Sequence, residues 1–302
     1  MFVIEKKDVP LHSLLRQSGC SAVGSALRSG RRGRAFESPH PDREDESDAC
    51  LARLFIFSVI TMEVKTEAVV LRSFKYGDNK LIVDLFTRSD GRVSFVVPLP
   101  KSGKGKIKKQ FFQPLSQLTV EYDLRPRVQL QRLKEAGLAY PYVSLPFDMV
   151  KLSVSLFLSE FLCYALRGEQ RNELLYRYIV DSLQWLDECR EGMANFHLVF
   201  LMRLTRFLGF YPNLDDYEEG SCFDLRGSCF CPHPPLHRDF LAPDEARKIS
   251  LMMRMNYQTM HLFRISRQER NRLLEVAVRY YAIHIPDFPE LKSLEVLKSM
   301  FD

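Results

Sequence analysis

The sequence predicts an α+β protein in which an N-terminal OB-type five-stranded β-barrel precedes a mainly α-helical domain with an irregular, degenerate zinc-finger-like excursion. Three observations predict this fold class. Strand signals and turn residues are concentrated in residues 62–142, and the hydrophobic period becomes helical across residues 143–302. Residues 210–240 then interrupt the helical period with Pro, Gly, Asp and Cys. An SH3-like barrel is the structural alternative for the first domain.

Residues 1–61 lack a helical or strand period and interleave Gly, Ser, Arg and Pro. Ser18–Leu27 can be back-translated into a transfer-RNA D-arm, and Ala35–Pro39 can contain the usual T-loop sequence TTCGAATCC. We therefore expect that the reading frame was extended upstream through a transfer-RNA gene and that Met62 is the natural start. A genuine disordered arm is the alternative interpretation of this segment.

Five short stretches of alternating or β-branched residues predict the strands of the barrel. Turn residues separate them, notably Tyr76–Asn79 and the Gly-containing hairpin turn Ser89–Gly91. Five antiparallel strands within about 75 residues are typical of a closed Greek-key barrel. The predicted strands are Val64–Arg72, Lys80–Thr87, Val93–Val97, Leu115–Tyr122 and Val128–Leu133.

The positive charge of the chain is concentrated in the predicted barrel. The whole chain has a formal net charge of +5, and residues 62–140 hold 15 Lys and Arg against 8 Asp and Glu. Lys101–Lys109, between the third and fourth strands, contains five lysines and two glycines, so flexible point charges lie on a mobile backbone. This combination favours sequence-independent contact with phosphates, and Phe111 or Phe112 could stack on a base. A solvated loop and a phenylalanine in the core are the alternatives.

From Phe147 onward, apolar residues recur three and four positions apart, as they do in amphipathic helices. No apolar run reaches the ~18 residues that a transmembrane helix needs. Gly168 and Gly209 are expected to end the first and third helices. The predicted helices are Leu152–Leu166, Asn172–Glu191, Asn195–Leu208, Ala246–Met255, Ser266–Ile283 and Leu291–Phe301.

The seven cysteines are odd in number and mostly scattered, which is typical of a reducing compartment. Cys222, Cys229 and Cys231 lie near His233 and raise the possibility of a zinc site. Their spacing, Cys-x₆-Cys-x-Cys, lacks the paired Cys-x-x-Cys knuckles of structural zinc sites, so no cofactor is expected and a metal-free excursion is favoured. A thiol or histidine enzyme would need an activating base and an orienting group, and the sequence identifies no such set.

Several segments, taken in order, resemble the bacterial recombination mediator family RecO over residues 62–302. The first group consists of a Val-Leu strand, a Tyr-Gly-acidic turn and a Thr-Arg…Gly-Arg hairpin. The second is Arg206–Leu214, and the third combines Tyr281 and His284 with Leu291–Ser293 and Leu297. The N-terminal motifs of the first group lie, in chain order, in Lys65–Arg72, Tyr76–Asp78, Leu81–Val83 and Phe86–Arg92.

The resemblance implies an OB fold with a helical domain, and the binding and annealing of single-stranded DNA. It also implies partnership with RecR and with the C-terminal tail of single-stranded DNA-binding protein (SSB), and RecF and RecA are further candidate partners. These proteins act in the RecF pathway. The resemblance therefore implies a location in the cytoplasm, at the nucleoid, with no membrane association. Many family members carry a four-cysteine zinc motif. This chain departs from it, because Tyr217–Ser221 lacks the first cysteine pair.

Single- and double-stranded DNA are therefore the expected ligands, bound by cationic side chains of the barrel without bond chemistry. The alternative is an adaptor whose barrel binds acidic protein tails, with DNA contact secondary. The expected phosphate contacts are Lys101, Lys104, Lys106, Lys108 and Lys109 in the loop, Arg125, Arg127 and Arg132 near the last turn of the barrel, and Arg72 and Lys75, at and just beyond the end of the predicted first strand.

Overall fold

The computed structural model describes residues 62–98 and 107–300 of the 302-residue chain. The interpretation of residues 1–61 lies outside the described residues, and so do Lys101, Lys104 and Lys106. The barrel and the helical domain belong to one compact unit. Within the described ranges, no helix combines the length and the hydropathy that crossing a bilayer requires.

The first domain is a closed barrel with the strand order β1-β2-β3-β5-β4. All neighbouring strands are antiparallel except β3 and β5, which are parallel. The predicted five-stranded barrel is confirmed, although β5 runs seven residues beyond its predicted end. The strands are β1 Met62–Lys75, β2 Lys80–Thr87, β3 Gly91–Pro98, β4 Gln117–Leu124 and β5 Leu130–Tyr140. Pairing with β4 extends β5 through Gly137, a residue with poor intrinsic strand preference.

The interior of the barrel is filled by alternate residues of the five strands, because successive side chains of a strand point to opposite faces. Leu81, Val83 and Leu85 of β2 are buried there, as the predicted alternation requires. Phe95 and Tyr122 meet edge to face across the interior, with 4.8 Å between ring centroids. The Tyr122 hydroxyl donates a hydrogen bond to the Asp90 carboxylate in the β2–β3 turn, which satisfies the one polar end of this pair.

Six α-helices lie in the described part of the second domain, and capping side chains define where several of them begin. The Asp148 carboxylate accepts hydrogen bonds from the amides of Val150 and Lys151, so the first helix begins before the predicted Leu152. Asn172 caps the second helix, and Gly209 ends the third with a left-handed φ of 86°. The helices are α1 Met149–Ala165, α2 Glu173–Glu188, α3 Phe196–Leu208, α4 Pro243–Arg254, α5 Arg267–His284 and α6 Ser293–Ser299.

The excursion at residues 210–240 is more regular than the sequence predicts. It contains a small antiparallel sheet of β6 Cys222–Asp224, β7 Cys229–Cys231 and β8 Phe240–Leu241, in the order β7-β6-β8. The predicted interruption of the helices is present, and the structure adds these short strands to it. The sequence does not predict them, because strands of two or three residues leave almost no alternation to detect. Tertiary packing stabilises them: Phe223 and Phe230 are buried and join the core of the helical domain.

The barrel docks onto α1 through part of its outer wall. Val69, Leu71 and Phe86 point away from the barrel interior and join the hydrophobic core of the helical domain. Hydrogen bonds support this contact, since Ser159 donates to the carbonyl of Leu71 and the Arg92 guanidinium donates to the carbonyl of Cys163. One half of the outer wall is thereby covered.

Candidate nucleic-acid interface

The uncovered half of the barrel's outer wall presents two rows of side chains on β1, β2, β3 and β5. Strand pairing defines the rows, because residues directly opposite each other on neighbouring strands point to the same face. One row is Phe74, Ile82, Val96 and Arg132, and the other is Arg72, Asp84, Ser94 and Leu130. Phe74 is 43% exposed, and Leu130 and Arg132 are exposed as well. We call these two rows the open face.

The open face combines cationic and aromatic groups in direct contact. The guanidinium of Arg72 lies over the ring of Phe74, 5.4 Å from its centroid. Such a pair is suited to nucleic acid, since the guanidinium can meet a phosphate and the ring can stack on a base. Arg132 lies at the far end of the same row as Phe74, on the strand that closes the barrel.

Asp84 holds the charged side chains of this wall in place. The residue is 1% exposed, and its carboxylate accepts hydrogen bonds from Arg72 Nε at 2.6 Å and Arg92 Nη2 at 3.0 Å, as well as from the Ser94 hydroxyl. Burial alone would raise the pKa of Asp84, but hydrogen bonds from Ser94 and Arg72 and the charge of Arg72 hold it below its ordinary value. Asp84 therefore remains ionised and orients Arg72 along the open face.

Two turns flank the open face and carry further predicted contacts. The β1–β2 turn places Tyr76, 55% exposed, beside Lys75. The β4–β5 turn presents Arg125 and Arg127 to solvent. The side chain of Gln131 fixes this second turn, because its amide accepts from the Arg125 N–H and donates to the carbonyls of Arg125 and Val128. These are the turns that OB folds use, with the face of strands two and three, for binding oligonucleotides.

The described part of the lysine segment lies at one end of the barrel. Lys108 and Lys109 are exposed, and Lys108 Nζ lies 6.0 Å from the centroid of the Phe111 ring. Phe112 is buried in the barrel core, and its carbonyl accepts a hydrogen bond from Ser73. Phe111 is half-buried. Phe112 therefore belongs to the core, and Phe111 is the ring of this pair that a ligand can reach.

The structure brings together Arg72 and Arg132 on the open face, and it places Arg125, Arg127 and Lys75 in or beside the flanking turns. Sequence reasoning missed the exposed apolar and aromatic members of this surface. Their signal was present in β1, where Arg72 and Phe74 are two positions apart and so share a face. The missed residues are Phe74, Tyr76, Val128 and Leu130.

Comparison with known proteins identifies the family. The family model described as "Recombination protein O N terminal" matches residues 62–142, and that described as "Recombination protein O C terminal" matches residues 146–295. The DNA repair protein RecO of Phocaeicola vulgatus is 53% identical over 237 residues, which cover 78% of this chain and 98% of the relative. The chain belongs to the RecO family.

More distant relatives match over the same share of the chain. The DNA repair protein RecO of Bacteroides fragilis is 49% identical over 239 residues, covering 79% of this chain and 99% of the relative. That of Flavobacterium psychrophilum is 34% identical over 241 residues, covering 80% of this chain and all of the relative. The chain is thus a member of a family of DNA repair proteins, as the ordered motifs of the sequence predict.

The four candidate zinc ligands, Cys222, Cys229, Cys231 and His233, do not come together in one group. Cys222 lies opposite Cys231, Cys229 lies opposite Asp224, and His233 is exposed beyond the end of β7. Among the described residues, no group of three or more His, Cys, Asp or Glu side chains could hold a metal ion. A tetrahedral zinc site needs four ligands around one point, and the first cysteine pair of the four-cysteine zinc motif is missing from Tyr217–Ser221.

Ser228 and His284 form the pair in this segment that most resembles a catalytic dyad. His284 Nε2 lies 3.2 Å from the Ser228 hydroxyl but 2.8 Å from the carbonyl oxygen of Leu225. A carbonyl can only accept, so Nε2 carries the proton and cannot take one from Ser228. The Tyr280 hydroxyl donates to the carbonyl of Phe210 and also lies within hydrogen-bond distance of the Ser228 hydroxyl. This hydrogen-bonded cluster ties β6 and β7 to α5 and lacks the base that a nucleophilic serine requires.

Proposed function

We propose that this RecO-family protein binds single- and double-stranded DNA and promotes the annealing of complementary strands. We further propose that it helps to load RecA onto SSB-coated gaps together with RecR, as part of the RecF pathway, without catalysing a chemical reaction. The SSB C-terminal tail and RecR are its proposed partners, with RecF and RecA as further ones, and the nucleoid is its proposed place of action.

The open face is the observation that supports this proposal most strongly. Cationic and aromatic side chains share one uncovered wall of an OB barrel, between two turns that carry Lys75, Arg125 and Arg127. The lysine segment leaves β3 after Pro98, which is paired with Lys80 at the end of the barrel where the β1–β2 turn lies. DNA crossing the open face would therefore pass close to Pro98, the last described residue before the lysines.

Each class of side chain contributes a different part of the binding free energy. Lysine and arginine neutralise phosphates and release counterions, which makes affinity depend steeply on salt. Exposed rings such as Phe74 stack on bases with little sequence preference. Two complementary strands held in the same positive field repel each other less, so pairing between them is favoured.

Fluorescence anisotropy with labelled oligonucleotides and a strand-annealing assay on the full chain test the proposal. Replacing Lys101, Lys104, Lys106, Lys108 and Lys109 by Ala should weaken single-strand binding about equally for all sequences and flatten the salt dependence. A chain with Arg177→Ala and Arg254→Ala, two exposed arginines of the helical domain, is the control and should bind as the parent does.

Failure of the parent chain to bind or anneal oligonucleotides at low salt would contradict the proposal. If the chain bound the acidic SSB tail through the same lysines but did not anneal DNA, the adaptor function would replace it. Salt sensitivity alone does not separate these two functions, because both rest on cationic side chains. Annealing by the isolated chain is therefore the decisive measurement.

A further inference from the structure

Two cysteines of the small sheet lie directly opposite each other on neighbouring antiparallel strands. Cys222 of β6 is the register partner of Cys231 of β7, and Phe223 is the partner of Phe230. Opposed residues of an antiparallel pair have Cα atoms about 4.5 to 5.5 Å apart, which lies within the range of about 4.4 to 6.8 Å that a disulfide spans. Because side chains alternate, both cysteines lie on one face of the hairpin, and the Phe223–Phe230 pair lies on the other.

The side chain of Cys231 already reaches across to the neighbouring strand. Its Sγ atom contacts the carbonyl oxygen of Cys222 at 3.7 Å. Cys222 is 3% exposed, whereas Cys231 is half-buried, so an oxidant in solvent reaches Cys231 first. The pair thus joins an accessible thiol to a sheltered one, which is the arrangement of an attacking and a resolving cysteine.

The other described cysteines are less well placed to form a disulfide. Cys229 lies opposite Asp224, and it is two positions from Cys231 on the same strand, so their Cα atoms are about 6.6 Å apart, near the upper limit for a disulfide. Cys163 is buried in α1 against the barrel. Cys189, after the end of α2, donates to the carbonyl of Glu191. Among the described cysteines, only Cys222 and Cys231 face each other across a strand pair.

We propose that Cys222 and Cys231 are an oxidative modification site, which closes into an intramolecular disulfide when the protein meets hydrogen peroxide. The Cys231 thiolate attacks one peroxide oxygen, the O–O bond breaks, and a sulfenic acid and hydroxide form. The Cys222 sulfur then attacks the sulfenic sulfur, the S–O bond breaks, and the Cys222 proton leaves with the departing hydroxide as water. Overall, two thiols and one hydrogen peroxide give one disulfide and two waters.

The surroundings determine how fast and with what effect this site reacts. Burial, with the neighbouring Cys222, Asp224 and Cys229, raises the pKa of the Cys231 thiol, so its thiolate is scarce at neutral pH and the reaction is slow. The new bond would link β6 to β7 without displacing the Phe223–Phe230 contact on the opposite face. It would act as a covalent brace across the small sheet.

Peptide mapping of the peroxide-treated full chain tests the proposal. After free thiols are blocked and the chain is digested without reductant, we expect one peptide pair joined through Cys222 and Cys231, which dithiothreitol separates. Cys231→Ser and Cys222→Ser should each abolish this product, and Cys229→Ser should leave it. Cys189→Ser is the matched control, because Cys189 is also half-exposed but faces no other described cysteine.

Three outcomes would overturn the proposal: a Cys229–Cys231 product, disulfides only between chains, or over-oxidised Cys231 without any cross-link. Circular dichroism of each variant establishes that it is folded before it is oxidised. If the buried Cys222→Ser variant fails to fold, Cys231→Ser decides the outcome, because its side chain is half-exposed and its replacement disturbs no core contact.

Discussion

Strands β1 and β2 contribute to both halves of the barrel's outer wall, but the helical domain covers only one half. Near the β2–β3 turn, Val69 and Phe86 point outward and pack against α1 and the rest of the helical core. Farther along β1, Phe74 also points outward but remains exposed, as does Arg132 of β5. The covered half holds the two domains together, and the open half remains accessible to the proposed DNA ligand. Docking of a neighbouring domain, more than strand pattern, decides which half of a wall can bind.

Asp84 connects the two halves, because it accepts from Arg72 on the open side and from Arg92, which also contacts α1. Asp84→Asn should lower the free energy of unfolding by about 3 kcal/mol at neutral pH, since Arg92 would keep its burial and lose its charged partner. Urea denaturation at neutral pH measures this loss. An unchanged urea midpoint would show that the two halves are energetically independent.

The contribution of Asp84 to the free energy of unfolding should also depend on pH. The pKa of Asp84 is lowered in the folded state, so its contribution is complete above the ordinary value of 3.8 and is lost as pH falls through the lower, folded value. The difference between parent and Asp84→Asn should therefore stay constant from pH 7 to about 5 and shrink only in more acidic solution. A difference that disappears near pH 6 would contradict this assignment.

Gly91 and Gly77 allow the covered and open halves to be compared with one substitution. Both have a positive φ, of 69° and 63°. A Cβ at Gly91 would lie 2.4 Å from the Gln170 backbone, whereas one at Gly77 meets nothing within 4 Å. We expect Gly91→Ala to cost about 3 kcal/mol and Gly77→Ala about 1 kcal/mol, since only the first adds a clash to the strained φ. Thermal unfolding of both variants measures the two losses of stability. Equal losses would contradict the close approach of Gly91 to the Gln170 backbone.

Phe74→Ala should weaken single-stranded DNA binding by about 1 to 2 kcal/mol, roughly a 5- to 30-fold rise in Kd, because a stacking ring is lost. Phe147→Ala is the matched control, since Phe147 is 81% exposed but lies outside the open face. Anisotropy titrations compare the two. If both variants bind equally well, bases do not stack on the open face.

Arg132→Ala should have the smallest effect, about 1 kcal/mol at low salt, and should reduce the salt slope by about one unit. Arg177→Ala is its control, because Arg177 is exposed on α2 and paired with Glu173. Titrations across a salt series separate a lost phosphate contact from a general change in fold. A lower affinity with an unchanged slope would indicate that Arg132 does not touch a phosphate.

Part of this architecture could be predicted because it depends on local patterns. Alternation within Lys80–Thr87 matches β2 over its whole length, and the predicted end of α3 at Gly209 is confirmed by its left-handed conformation. Residues that follow weak local preferences were harder to predict. The end of β5 beyond Leu133 and the strands of the small sheet depend on pairing partners on other strands. A pattern read over a few neighbouring residues contains no information about those partners.

Local sequence pattern was enough to predict the alternation of β2, where several helices start and stop, and that positive charge is concentrated in the barrel, because these properties depend on neighbours along the chain. It did not predict the bulge between Val70 and Arg72, which changes the face occupied by the following residues of β1. Only the tertiary structure decided that α1 covers Phe86 and leaves Phe74 exposed, and that the parallel pairing of β3 with β5 brings Arg132 into the row of Phe74. Strand register and domain docking depend on contacts between residues far apart in sequence. Such contacts form only when the whole unit closes around its core.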